Sequence, residues 1–354
     1  AGPQKIIASG NSVYLLITYS MQGNTMTRAS LVSSHDNGIT FSAPVTVLED
    51  IQTRGSIDMA VSENESQVYM FGQDSGKCPI DTMNCQYTTF LKKSIDGGMS
   101  FENPVMIKTT NQSITYPLIT ASGDNVYLAW AEQIGDNVDL FFAKSNDKGS
   151  TVSKPYVFSP EIGDSSFPQL VANGKNVFVV WDYSNEAIIS NEIYHNSSVT
   201  FFPVSGFFFT KSLDGGNTFS LPINLSGPSG TSYWSNIASS DNNVFVTWGT
   251  KFDDIQDVFI KKSADNGLTF DDAIEITDSK HTYFQTKLMS SGNNVYVAID
   301  SAYPGDDLFL VSSSDAGNTF GNPENLNHEI TVPEFPFAIP VLLIGITSLI
   351  VFHR

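Results

Sequence analysis

Six apolar segments of this 354-residue chain can be aligned by their apolar residues, and the alignment puts Lys5, Asp58, Leu118, Gln169, Asn236 and Lys287 at one equivalent place. Five of these six are polar in segments that are otherwise apolar. Such residues are expected to line a common channel, where they can bind a ligand. Just upstream stand Tyr116, Phe167, Tyr233, Trp234, Tyr283 and Phe284. Aromatic faces beside polar groups suit a sugar or a peptide. The competing role for these rings is packing between neighbouring segments, and half of them are expected to take it. Two carboxylates on one face suffice for glycoside hydrolysis, and Asp58 is the first candidate; nearby Arg54 is a separate candidate catalytic residue. Asp139, Asp257 and Asp307 are the other candidate carboxylates. Each stands six residues before a recurring serine, and that repetition favours a structural role such as holding a loop. Calcium is the weaker candidate there, since no contiguous calcium loop occurs; no other cofactor or metal is expected.

These residues must be positioned by a repeat. Ser-x-Asp-x-Gly-x-Thr-Phe recurs six times, starting at Ser34, Ser94, Ser145, Ser212, Ser263 and Ser313, at intervals of 50 to 67 residues. Before most copies lies a run such as NVYLAW (125–130), NVFVVW (176–181), NVFVTW (243–248) or NVYVAI (294–299). These runs are short, β-branched and aromatic, without helical period, and read as buried strands. Two further apolar runs flank each box. Four strands per repeat and six repeats predict an all-β, six-bladed β-propeller of four-stranded antiparallel blades, contiguous in sequence. With strands named A to D outward, nearly all length variation falls between B and C. The B–C loops share a face with the D–A connections, opposite the boxes. That variable face is where a scaffold carries a site.

The boxes resemble the Asp-box (BNR) repeats of sialidases and of related propellers that are not sialidases, over nearly all of residues 1–326. The resemblance implies that Asp36, Asp96, Asp147, Asp214, Asp265 and Asp315 are structural, each binding backbone N–H groups of its own turn, with the closing aromatic packed between strands. Asp and Gly are residues that a tight turn calls for. The copy ending at Val152 is degenerate. Sialidases grip the substrate carboxylate with three arginines. Here there are three in all, Arg28, Arg54 and Arg354, the last beyond an apolar segment. Lysine does not reproduce the planar two-point grip, and the Arg-Ile-Pro motif is missing, so a conventional sialidase mechanism is not expected.

The net charge of −19 argues against nucleic acid as a partner. Cys78 and Cys85 are expected to form a small disulfide ring in the second blade's B–C loop, outside the cell. Sequons at Asn64, Asn111, Asn196 and Asn224 are glycosylation candidates. Residues 327–336 read as a short linker and 337–354 as a C-terminal transmembrane helix or sorting tail, with His353 and Arg354 held inside by their charge. VPEFP at 332–336, the apolar run and the basic end resemble the PEF-type sorting signal of archaeal surface proteins. That implies cleavage and transfer to a lipid anchor; a plain single span is the alternative. The start at AGPQ is read as following a removed or omitted signal peptide.

The sequence thus predicts an extracellular, membrane-anchored propeller that binds a glycan or a protein at the cell surface. The alternatives are a glycoside hydrolase of sialidase-like fold and a structural component of the cell envelope.

Overall fold

The computed structural model describes residues 2–20, 27–51, 57–62, 67–74, 86–158, 164–184, 190–194, 197–201, 206–226, 231–252, 255–277, 282–303 and 307–327. All regular structure among them is strand, in six four-stranded antiparallel sheets and one separate two-stranded hairpin. Sheet 1 holds β1 (Gly2–Ser9), β2 (Ser12–Ser20), β3 (Thr27–Ser34) and β4 (Val45–Ile51). Sheet 2 holds β5 (Ile57–Val61), β6 (Val68–Asp74), β7 (Tyr87–Ser94) and β8 (Val105–Thr110). Sheet 3 holds β9 (Ile114–Ser122), β10 (Asn125–Ile134), β11 (Asn137–Ser145) and β12 (Tyr156–Val157). Sheet 4 takes β13 (Asp164–Asn173) and β14 (Asn176–Ser184), then a separate hairpin of β15 (Ser190–Tyr194) and β16 (Ser197–Phe201), then β17 (Gly206–Ser212) and β18 (Ile223–Asn224). Sheet 5 holds β19 (Thr231–Ser240), β20 (Asn243–Phe252), β21 (Ile255–Ser263) and β22 (Ile274–Glu275). Sheet 6 holds β23 (Thr282–Ser291), β24 (Asn294–Tyr303), β25 (Asp307–Ser313) and β26 (Glu324–Asn325). One parallel bridge, Gln256 to Thr282, links sheets 5 and 6.

Each sheet takes its strands in sequence order, as the in-phase repeats predict. The chain divides into two compact units, sheets 1 to 3 in one and sheets 4 to 6 in the other. Within the first, β1 lies against β5 and β5 against β9; within the second, β13 lies against β19 and β19 against β23. The first strand of every sheet is therefore its inner edge. The NVY-type runs are the second strands. Val126 to Ala131 and Val177 to Trp181 are buried on both faces, which is why they read as continuous apolar runs instead of alternating ones. Their side chains build the cores between sheets. Phe71 of sheet 2 meets Trp130 of sheet 3, and Phe207 of sheet 4 meets Trp248 of sheet 5, with centroids 5.5 and 5.1 Å apart.

Lysines just ahead of the boxes tie neighbouring sheets. Lys92 donates to the Val47 carbonyl of the preceding sheet at 2.6 Å, and Lys93 to the Ser150 hydroxyl in the next box at 2.9 Å. Sheet 5 repeats both contacts, from Lys261 to the Leu225 carbonyl and from Lys262 to Asn318. The box glycines sit on the preceding core. A Cβ on Gly98 (φ +88°) would lie 2.5 Å from the Leu31 side chain, and one on Gly317 (φ +74°) 2.5 Å from the Phe245 ring.

All six boxes share one bonding pattern. In the first, Asp36 accepts from the hydroxyls of Ser34 (2.7 Å) and Thr40 (2.6 Å) and from the Thr40 N–H (2.9 Å), while Gly38 N–H donates to Ser34 Oγ. The same bonds recur at Asp96, Asp147, Asp214, Asp265 and Asp315. Of the closing residues, Phe101, Val152, Phe270 and Phe320 pack on the cores, but Phe41 is half exposed.

These bonds favour the ionised carboxylates. The Thr40 hydroxyl lowers Asp36, and the Ser100 hydroxyl lowers Asp96, each from 3.8 to about 2. At Asp147 burial opposes the shift, but the Thr151 bonds win and the value also falls to about 2. Asp214, Asp265 and Asp315 are lowered too, first by the backbone N–H of Thr218, Thr269 and Thr319. Folded values below unfolded ones stabilise the protein above 3.8, and that stability is lost as pH falls through 2. The urea midpoint should therefore drop between pH 4 and pH 2. Asp96→Asn should lower the midpoint at pH 6 and flatten the acid limb. An unchanged acid limb in that variant would remove the boxes as its cause.

Candidate functional site

The ladder register tests the alignment of inner-strand residues. Lys5, Asp58, Leu118, Gln169, Asn236 and Lys287 pair with Leu16, Phe71, Ala129, Val180, Thr247 and Ala298. Each partner is the fifth residue of its run, counting SVYLLI (12–17) and QVYMFG (67–72) as the runs of sheets 1 and 2, so the six positions are equivalent. Several of these side chains engage their neighbours. Lys5 Nζ lies 2.8 and 3.0 Å from the two Asp58 oxygens, and the Ile119 N–H donates to Asp58 Oδ2 at 3.0 Å. Asp58 thus ties three successive inner strands. In the second unit, Asn236 Nδ2 donates to the Thr286 carbonyl at 3.0 Å, Gln169 is partly exposed, and Lys287 is exposed.

Two residues upstream, the inner strands of sheets 3, 4 and 5 depart from regular pairing. The ladder skips two residues of the inner strand against one on the second strand: 116–117 against Trp130, 167–168 against Trp181, and 234–235 against Trp248. The first bulged residue is aromatic and left-handed each time, with φ +51° at Tyr116, +48° at Phe167 and +54° at Trp234. Bulky side chains rarely adopt this region, and bulges re-aim side chains beside functional sites. Tyr116 is 40% exposed, Phe167 is 37% exposed and Trp234 is partly exposed.

A bulge also leaves a backbone donor without its ladder partner. In sheets 3 and 4 the second bulged residue is Pro117 or Pro168, which has no N–H to lose. In sheet 5 it is Ser235, and there a buried carboxylate from the neighbouring sheet takes the donors. Asp182 Oδ2 accepts from Trp234 N–H at 2.8 Å, and Oδ1 accepts from Ser235 N–H at 3.2 Å and Ser235 Oγ at 2.6 Å. Burial pushes the Asp182 carboxyl up to about 6 against the pull of these bonds. Sequence reading missed Asp182. Its one mark is an acid directly after Trp181, closing an apolar run.

A second missed acid is Glu132, 3% exposed on β10. Lys108 Nζ lies 2.7 and 2.8 Å from its two oxygens and 5.0 Å from the Phe141 ring centroid. Asp139 is its cross-strand neighbour, its carboxyl raised by burial. The two other repeated acids bind the ends of their own outer strands: Thr277 Oγ1 donates to Asp257 at 3.1 Å, and Asn327 Nδ2 donates to Asp307 at 2.9 Å.

Tyr283 corrects the expected set of ligand contacts. It is fully buried, edge-on to Phe309 in the core of sheets 5 and 6. Its ladder differs from the other three: the skip falls at 284–285, against Asp300, so the chain turns this ring inward. Asn111 is exposed. Asn224 is exposed as well, and its side-chain oxygen accepts from Ser226 N–H and Oγ. Arg54, Cys78, Cys85, Asn64, Asn196 and the segment 337–354 lie outside the described residues. Among the described residues no helix is long and apolar enough to cross a membrane, and no group of three or more His, Cys, Asp or Glu side chains could hold a metal ion. A cavity of about 300 Å³ opens at the first box, lined by Ser33, His35, Asp36 and Phe41.

No family model and no curated protein matches this sequence. Solved structures do match. A polysaccharide lyase described as an ulvan lyase is 13% identical, with 92% of this chain and 84% of that chain covered and a TM-score of 0.60. The β-propeller domain of the Trilobed protease from Pyrococcus furiosus, of open velcro topology, is 8% identical over 91% and 82%, with a TM-score of 0.50. The intramolecular trans-sialidase from Ruminococcus gnavus is 10% identical over 94% and 96%, with a TM-score of 0.50. At such identities the likeness shows the fold alone, and that fold is a β-propeller.

Proposed function

We propose that this chain is a six-bladed propeller that binds a glycan at the bulged aromatic residues of its second unit, Phe167 and Trp234. The observation that carries the reading is the repeated left-handed bulge, which holds Tyr116, Phe167 and Trp234 in a strained backbone and exposes part of each ring. Strain kept at equivalent places in three sheets is a mark of function. In the second unit Phe167 and Trp234 stand on adjacent inner strands, each two residues from a side-chain amide, Gln169 or Asn236. Rings supply stacking for the C–H face of a sugar, and an amide supplies both donor and acceptor for its hydroxyls; Asn236 keeps one N–H and one lone pair for this beside its bonds to the Thr286 carbonyl and the Ile237 N–H. The propellers of similar fold include one described with bound -[GlcA(1-4)Rha3S]- and one named for trans-sialidase activity, which supports a glycan as the ligand class. A net charge of −19 favours a neutral glycan over a polyanion.

Binding is favoured over hydrolysis because the three buried acids among the described residues are already engaged: Asp58 by Lys5 and Ile119, Glu132 by Lys108, Asp182 by the Trp234 bulge. The apolar run from Phe337 supports display on the outer face of a membrane. A printed array of oligosaccharides probed with the chain at pH 7.5 tests the reading. Retention of a neutral glycan is expected, weakened about tenfold or more by Trp234→Ala or Phe167→Ala. A blank array, or retention unaffected by both substitutions, would sink it.

A further inference from the structure

We propose that Asp182 is the positioning residue of the Trp234 platform, and that its protonation in mildly acidic solution loosens the platform and releases the ligand held there. The inference rests on the reading of Trp234 as a ligand contact.

Among the three left-handed bulges, the one in sheet 5 is held from outside its own sheet by a carboxylate. Asp182 is fully buried, and its oxygens take both consecutive backbone N–H groups of the bulge, 234 and 235, together with the Ser235 hydroxyl. Charge-assisted bonds of this kind are roughly twice as strong as neutral ones. They act where the backbone needs them, since Trp234 sits at φ +54°. A proton on Oδ1 turns that oxygen into a donor. It can then point at Ser235 Oγ, it accepts only weakly from Ser235 N–H, and the bond from Trp234 N–H becomes a neutral one.

The surroundings make this titration accessible. The elements around Asp182 are β13, whose Ser166 pairs with it, β17, whose Phe207 pairs with it, and β19, which carries the bulge. Their charged residues are Asp164 on β13, two ladder positions away, and Lys211 on β17, four positions away; β19 has no charged residue, and the titratable tyrosines are Tyr183 on β14 and Tyr233 on β19. No neighbouring charge sets the carboxyl; burial raises it and the three bonds lower it, to about 6. Mild acid therefore changes the state of the brace. The box aspartates, held low by their own turns, stay ionised there.

The test is a titration of the ligand-free chain from pH 8 to pH 4, following the Trp234 and Ser235 amide resonances. Both should move together with a midpoint near 6. They should stay flat in Asp182→Asn. Ser235→Ala, which removes one bond to the charged form but keeps the carboxyl, should raise the midpoint. In parallel, the printed oligosaccharide array is probed at pH 7.5 and pH 5, where retention should fall about tenfold, the factor set by one pH unit below the midpoint. Amides that do not titrate in the wild type overturn the proposal, as does equal retention at both pH values. Titrating amides with a blank array at pH 7.5 would leave the brace standing and overturn the glycan reading instead.

Discussion

Replacing Lys108 with methionine should cost about 3 kcal/mol of folding stability, because it strands a buried carboxylate. Glu132 is 3% exposed, and both its oxygens rest on the Lys108 ammonium at 2.7 and 2.8 Å. Lys108 itself is about one-third exposed, which places the expected loss at the low end for a broken buried pair. The pair need not stabilise the fold relative to apolar residues of the same size; what costs is leaving one charge alone. Lys108→Met combined with Glu132→Leu should therefore recover most of the loss. Urea unfolding of the two single variants and the double variant measures the coupling. A Lys108→Met variant within about 0.5 kcal/mol of the parent would mean that solvent reaches Glu132 and that the pair is a surface one.

Trp130→Ala should cost about 3–5 kcal/mol, as large-to-small changes of buried aromatics do. The ring is fully buried, stacked on Phe141 at 5.5 Å and 11°, and meets Phe71 of the neighbouring sheet at 5.5 Å. The change opens a cavity between sheets 2 and 3, where the lost contacts cannot be remade without moving both sheets. Trp130 Nε1 is buried without a hydrogen-bond partner, so no bond is broken. This makes Trp130→Phe informative. It keeps most of the apolar contact and removes the orphan donor, and it should cost no more than about 1 kcal/mol. Equal losses in the two variants would show that the indole N–H is bonded after all.

The first strand of each sheet divides what was legible in the sequence from what was not. Four apolar runs around each Ser-x-Asp-x-Gly box determine an all-β repeat, because run length, β-branching and turn residues are local properties of the chain. Equivalence of Lys5, Asp58, Gln169, Asn236 and Lys287 was legible for the same reason: a period-two strand keeps its register from one copy to the next. The bulges were not legible. Tyr116, Phe167 and Trp234 look like Tyr283 in sequence, yet the first three leave the ladder in the left-handed region and the fourth enters the core. Which residue leaves depends on the partner strand and on where the freed N–H finds an acceptor. Proline answers that locally at 117 and 168. At 235 the answer comes from Asp182, 53 residues away, and only packing of one sheet on the next brings it there. The same holds for Glu132 and Lys108, unremarkable in sequence and joined across two sheets. Local chemistry determined the scaffold and its turns; burial and contact between distant segments decided which polar groups are pinned and which rings stay exposed.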